Sequence, residues 1–248
     1  MNWLRIVRAE LRKLTTTKMP LGFLIVLVVI GAATAIAVAV GTDMDGSKTF
    51  ISTAADQQSL MAFAGNALVI AGLFGAIAVA REYGHGTVVV TFLTTPRRPQ
   101  AVLAQYAAVF VAGSVLGLVG AGVSAGSVAA GLTATDFGFM VSAADLAQVL
   151  AASTLAGGAG AVLGAGVGAF VRNTGGAVTG TILLLVILQP LAVQMVSETA
   201  RWMPSILGNV VSGIETAVGI GPAIVGIGIW ALVPAAIGLL AVTRRDVV

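Results

Sequence analysis

Leu21-Gly-Phe-Leu-Ile-Val-Leu-Val-Val-Ile-Gly-Ala-Ala-Thr-Ala-Ile-Ala-Val-Ala-Val40 is twenty residues without a charge, and Pro20 precedes it. A helix of that length crosses the roughly 30 Å hydrocarbon core of a bilayer. The run has no alternation of apolar and polar residues, so a membrane β-barrel is excluded. In lipid the backbone must satisfy its own hydrogen bonds, which leaves a helix.

The rest of the chain repeats this pattern. Of its 248 residues 58% are hydrophobic and only 9% charged, with mean hydropathy +1.02. Soluble domains carry about 25% charged residues, so this surface cannot all face water. Further runs fall at about 60–79, 101–125 (within an uncharged stretch that continues to Leu132), 146–171, 175–196 and 222–242. The sequence therefore predicts an all-α membrane protein of six spans in one transmembrane domain, 1–248. With no cysteine and one histidine, disulfides, thiolate chemistry and multi-histidine metal sites are excluded. A net charge of +3 is too small to point to nucleic acid.

The charges assign the sides. With the N-terminus inside, the inner segments hold Arg5, Arg8, Arg12, Lys13, Lys18, Arg81, Arg97, Arg98, Arg172, Arg244 and Arg245. Only Lys48 and Arg201 of the 13 basic residues fall outside. Such asymmetry places both termini in the cytoplasm.

Residues 1–19 read as an interfacial amphipathic helix. Leu4, Val7, Leu11 and Leu14 share one face, flanked by Trp3 and Ile6, and Arg5, Arg8 and Arg12 share another. Trp3 and these arginines, with Arg97 and Arg98, are expected at lipid headgroups. The 81–99 segment is the other polar-headed inner stretch: Arg81-Glu82-Tyr83-Gly84-His85-Gly86-Thr87, an amphipathic middle through Phe92, and Pro96-Arg97-Arg98-Pro99.

Gly41-Thr-Asp-Met-Asp-Gly46-Ser-Lys-Thr49 imitates a phosphate-binding loop. Its order is Gly-Ser-Lys rather than Gly-Lys-Ser, no strand precedes it, and it lies outside. No nucleotide site is read in this chain. The spans carry no Asp or Glu, so an intramembrane hydrolase lacks its acid and base. Their few polar residues include Thr34, Asn66, Thr154, Thr179, Thr181, Gln189 and Gln194. Gln189-Pro190 breaks the helix ladder. With Asn66 it marks either a substrate path or a structural kink with Gln189 bonded to a neighbouring helix. Gly160, Gly164 and Gly168 are expected to form a close packing face. The interrupted stretch from Arg201 to Ile214 is expected as short helices at the outer interface.

In order along the chain, these features resemble the membrane subunit of ABC transporters of the type-2, exporter-like permease family. The basic amphipathic start resembles its elbow helix. Arg81–Thr87 with Thr95-Pro96-Arg97-Arg98 resembles its coupling helix between spans 2 and 3. Trp202-Met203-Pro204 resembles its broken extracellular segment between spans 5 and 6, and Arg244-Arg245-Asp246 its basic tail. Gln105 departs from it, since many relatives carry a basic residue there. The resemblance implies a permease that exports its substrate by alternating access, and the high Ala, Gly and Val content points to a bacterial plasma membrane. It implies pairing with a second copy or a similar permease, and two separate cytoplasmic ATPase subunits that hold ATP and Mg2+. It places Glu82, Tyr83, His85, Thr87 and Phe92 against the ATPase. This chain itself is not an enzyme on that reading and holds no cofactor. A non-transporting six-helix scaffold or immunity protein is the alternative.

Overall fold

In the computed structural model the chain is described over residues 3–43, 46–84, 86–87, 98–195 and 197–244. The described residues contain no strand, and six of their helices are long and apolar enough to cross a membrane. The chain is an all-α, multi-pass membrane protein.

The elements are α1 (Trp3–Thr15), α2 (Met19–Val40, span 1), a 3-10 turn (Thr49–Ile51), α3 (Ala54–Met61) and α4 (Ala64–Gly84, span 2). Then come α5 (Arg98–Leu132, span 3) and α6 (Ala143–Val171, span 4). Span 5 is broken into α7 (Thr174–Ile182), a π turn (Leu183–Ile187) and α8 (Leu188–Met195). After α9 (Ser197–Ala200) and α10 (Pro204–Val211), α11 (Ile220–Arg244) forms span 6.

Several boundaries differ from the sequence reading. Span 2 begins at Ala64, because Ala62 is extended and separates it from α3. Thr53 and Asp56 close a capping box that starts α3 as a helix of its own. Span 2 then continues to Gly84, so Arg81, Glu82 and Tyr83 are its last turn rather than the start of a loop. Among the described residues, Gly86 follows with a positive φ of 68°. Arg98 and Pro99 likewise open span 3, since proline is tolerated in a first helical turn. Span 3 is unbroken for 35 residues, about 52 Å at 1.5 Å per residue, and so overreaches the hydrocarbon.

Span 4 is the centre. Gly160 lies against the backbone of Leu68, Gly164 against Gly72, and Gly168 against Ala76 and Ala80. A Cβ at any of the three would meet span 2 backbone, which cannot swing aside as a side chain can. The expected packing face is therefore the seam between spans 2 and 4, with backbones in contact. Gly113 and Gly117 do the same for spans 3 and 4, against Gly157 and Ser153. Gly122 and Gly126, at the same spacing, meet nothing within 4 Å. Span 1 packs chiefly on span 3, and leaves Leu21, Ile25, Val28, Val29 and Ile36 exposed, as a lipid-facing helix does. Tyr106 ties span 3 to span 6 by donating to Ala235 O at 3.2 Å. Phe23 of span 1 meets Phe74 of span 2 edge-on, with ring centroids 5.4 Å apart.

At the far end from Arg81 and Arg172, glutamine amides hold the connecting segments together. Gln57 is fully buried. Its Nε2 donates to Ile51 O (3.2 Å) and Gly138 O (2.9 Å), and its Oε1 accepts from Met140 N (2.9 Å). Gln58 donates to Ser212 O at 3.0 Å and Gln148 to Val211 O at 3.0 Å, which fastens the C-terminal end of α10. Among the described residues of the stretch that imitates a phosphate loop, the Asp43 carboxylate accepts from Ser47 Oγ (3.1 Å) and Thr49 N (2.8 Å), and Lys48 Nζ donates to Ala39 O (2.6 Å).

Candidate functional site

Span 5 breaks because Pro190 has no N–H for the carbonyl of Val186, and its ring crowds that oxygen. The ladder shifts to the wider i→i+5 register just upstream, with Leu188 N bonded to Leu183 O. π turns inside α-helices are rare, and those that occur are frequently at functional sites. Gln189 compensates: its Nε2 donates to Leu185 O, and its Oε1 accepts from Ser205 Oγ and from Ser205 N at 3.3 Å. The side chain is buried and bonded to a neighbouring helix, so the structural account of this kink holds.

The kink also shapes a cleft of about 690 Å3, within the range of ~300–1,000 Å3 common for ligand sites. Asn66 from span 2 and Gln189 and Pro190 from span 5, the three residues singled out from sequence, all line it. Ser205 and Asn209 from α10 join them, and Asn209 Nδ2 is held by Glu215 Oε1 at 3.0 Å. Ile30, Val69, Ile70, Leu185 and Val186 form the apolar part. Among the described residues no charged one lines the cleft. Thr34, Thr154 and Thr181, also noted from sequence, instead donate to carbonyls four residues back in their own helices.

The opposite, basic end carries a second constellation. In α1, Ile6, Glu10 and Leu14 fall on one stripe and are buried against the bundle. Trp3 and Leu4 remain exposed, as do Arg5, Arg8 and Arg12. The helix thus has three faces where the sequence reading had two: one toward protein, one apolar and exposed, one basic. Lys13 Nζ lies 2.7 Å from Glu10 Oε1 and 3.4 Å from Glu82 Oε1. Burial alone lowers the pKa of Lys13, but its bond to Glu10 and the charge of Glu82 outweigh burial and hold the ammonium above its ordinary value. Next to Glu82, the Tyr83 ring lies 5.4 Å beneath the guanidinium of Arg172. Arg172, left-handed at φ 58° at the end of span 4, also donates to Ala241 O of span 6 at 3.1 Å. Glu82 and Tyr83 therefore join α1 and spans 2, 4 and 6 at one surface.

Thr87 is exposed, and its Oγ1 donates to Glu82 O at 3.3 Å. Arg98 is half-buried at the head of span 3. His85, Phe92 and Arg97 lie outside the described residues. Sequence reasoning passed over Glu10, Arg172, Gln57 and Ser205. Glu10 carried a signal: it is the one acid in a basic helix, four residues from both Ile6 and Leu14. Among the described residues no cluster of His, Cys, Asp or Glu could hold a metal. The chain matches no protein-family model and no curated protein.

Proposed function

We propose that the chain is the membrane-spanning permease subunit of an ATP-binding cassette exporter. It moves an amphiphilic or apolar substrate by alternating access, and a separate cytoplasmic ATPase with ATP and Mg2+ drives it. Two permease copies and two ATPase subunits make the transporter. The basic end, with both termini, faces the cytoplasm across a bacterial plasma membrane. The observation that carries this reading is the cleft: spans 1, 2 and 5 and α10 converge on it where one spanning helix loses its regular ladder. Broken spanning helices commonly mark the binding sites of transporters. Its lining of amides and hydroxyls beside branched aliphatic side chains suits an uncharged or amphiphilic substrate.

The basic end supports the same reading. The ATPase contact is assigned to Glu82 and Tyr83 in the last turn of span 2, together with His85, Thr87 and Phe92 that follow them in sequence. Lys13 and Arg172, bound to the first two, pass a push on that element to α1 and to spans 4 and 6. The test uses a Val69→Cys variant, the only thiol in the chain, purified with its ATPase in lipid vesicles. A bulky maleimide on Cys at 69 is expected to slow ATP hydrolysis severalfold while the complex stays assembled. Unchanged hydrolysis after complete labelling removes the cleft from the cycle.

A further inference from the structure

A second cavity, of about 740 Å3, opens on the outside of the bundle between spans 4, 5 and 6. Val167 and Phe170 of span 4, Leu183 of span 5, and Trp230, Val233 and Ile237 of span 6 form its walls, which are apolar throughout. Phe170, Leu183, Val233 and Ile237 are each more than two-fifths exposed. The cavity is therefore a groove in the surface that the membrane covers, unrelated to the polar cleft. It runs along span 6 from Trp230, whose indole bonds to Trp202 of the outer segment, toward the basic end, where its span 4 wall reaches Val171 beside Arg172.

Trp230, Ile237 and Arg244 stand seven residues apart, two helical turns each, and so lie on one stripe of span 6. Arg244 is exposed, about 10 Å beyond Ile237 along the axis. An apolar groove thus leads to a cation at headgroup depth. We propose that this groove binds an anionic phospholipid of the leaflet at the basic end, its acyl chains against Trp230 and its phosphate on Arg244. Basic residues beside grooves between spans recognise such headgroups. A second copy of this chain is a poorer occupant. Two copies in one bilayer are related by an axis along the membrane normal, which sets both basic ends at the same depth. Packing groove to groove would oppose Arg244 to Arg244.

The proposal rests on the cytoplasmic placement of Arg244 given above, which membrane-impermeant labelling of an Arg244→Cys variant reads separately. It does not depend on transport. The test uses the full chain with Trp3→Phe and Trp202→Phe, leaving Trp230 as the sole tryptophan. Trp230 Nε1 donates to the backbone oxygen of Trp202 at 2.9 Å, a bond that Trp202→Phe keeps. The protein is placed in phosphatidylcholine vesicles with a small, equal fraction of either brominated phosphatidylglycerol or brominated phosphatidylcholine. Bromine quenches tryptophan on contact. The anionic lipid is expected to quench as if enriched about fivefold at the groove, and Arg244→Glu is expected to abolish the excess. Arg244 is exposed, so that variant folds, and its elution profile checks this. Equal quenching by the two lipids overturns the proposal. So does protection of Trp230 from both lipids with disulfide cross-linking between copies through Ile237→Cys, which puts a second copy in the groove.

Discussion

Replacing Gln57 with leucine removes three hydrogen bonds in one step: two donated to Ile51 O and Gly138 O, and one accepted from Met140 N. Leucine fills similar space, so the loss is of bonds rather than volume. A typical bond contributes about 0.5–1.5 kcal/mol net. Three give about 1.5–4.5 kcal/mol, with the upper part expected because Gln57 is 0% exposed and water does not reach the side-chain position. For a chain of this size, at about 2–4 °C per kcal/mol, that corresponds to a fall of roughly 3–18 °C in the midpoint of thermal unfolding. Gln58→Leu is the internal comparison. It removes one bond, to Ser212 O, and should cost about a third as much. The assay is the fraction of monodisperse protein in detergent after graded heating, with hydrogen exchange at Met140 as the local readout. If Gln57→Leu costs no more than Gln58→Leu, or exchange at Met140 is unchanged, Gln57 does not clamp the two segments.

Gly164→Leu drives a side chain into the Gly72 backbone. It should cost at least the 1–3 kcal/mol or so of ordinary overpacking, seen as aggregated protein on size exclusion, whereas Gly122→Leu, facing open space, should elute normally. Lys13→Met leaves Glu10, 5% exposed, without its cation. The cost should be about 2 kcal/mol, below the ~3–5 kcal/mol of a fully buried pair because Lys13 stays partly solvated, and disulfide trapping between α1 and span 2 should slow. The same contact fixes a pH response. The folded pKa of Lys13 is raised above 10.5, so its stabilisation is fully present below that value and is lost as pH climbs through the higher folded one. The wild-type minus Lys13→Met difference in melting midpoint should be flat from pH 6 to 9 and shrink above 10.5. Ser205→Ala removes the hydroxyl bond from α10 to Gln189 Oε1 and leaves only the one from the backbone N–H of residue 205. It should loosen the kink without unfolding the bundle, read as faster exchange at Ser205 and faster thiol modification of Val69→Cys.

The spans were legible in the sequence because an uncharged run of twenty residues such as Leu21–Val40 has few other uses. The spacing of Gly160, Gly164 and Gly168 was legible too, since backbone contact needs small residues at one helical period. Glycine spacing alone did not separate these from Gly122 and Gly126, because which face meets a neighbour is settled by tertiary packing. The helices of spans 2 and 3 run beyond the apolar stretches read from sequence for a related reason. Charges at Arg81 and Glu82 read as the edge of the membrane, yet a helix does not stop where the membrane does. Asn66, Gln189 and Pro190 were noticed as polar or helix-breaking residues in apolar runs, and the fold brings them to one cleft. Gln57 and Ser205 were not, because an amide or hydroxyl in a connecting segment looks like a solvated group. Only the carbonyls that the fold presents to it make it a clamp. Glu10 and Arg172 were hidden in the same way, their partners lying on helices far away in sequence.

Whether an outside ATPase drives this chain is tested most directly by the native mass of the complex it forms in its own membrane. Tagged full-length protein, extracted gently and weighed intact, is predicted to carry two copies of this chain and two copies of an ATP-binding subunit. Recovery of the chain alone, or with partners none of which binds ATP, contradicts the proposed function.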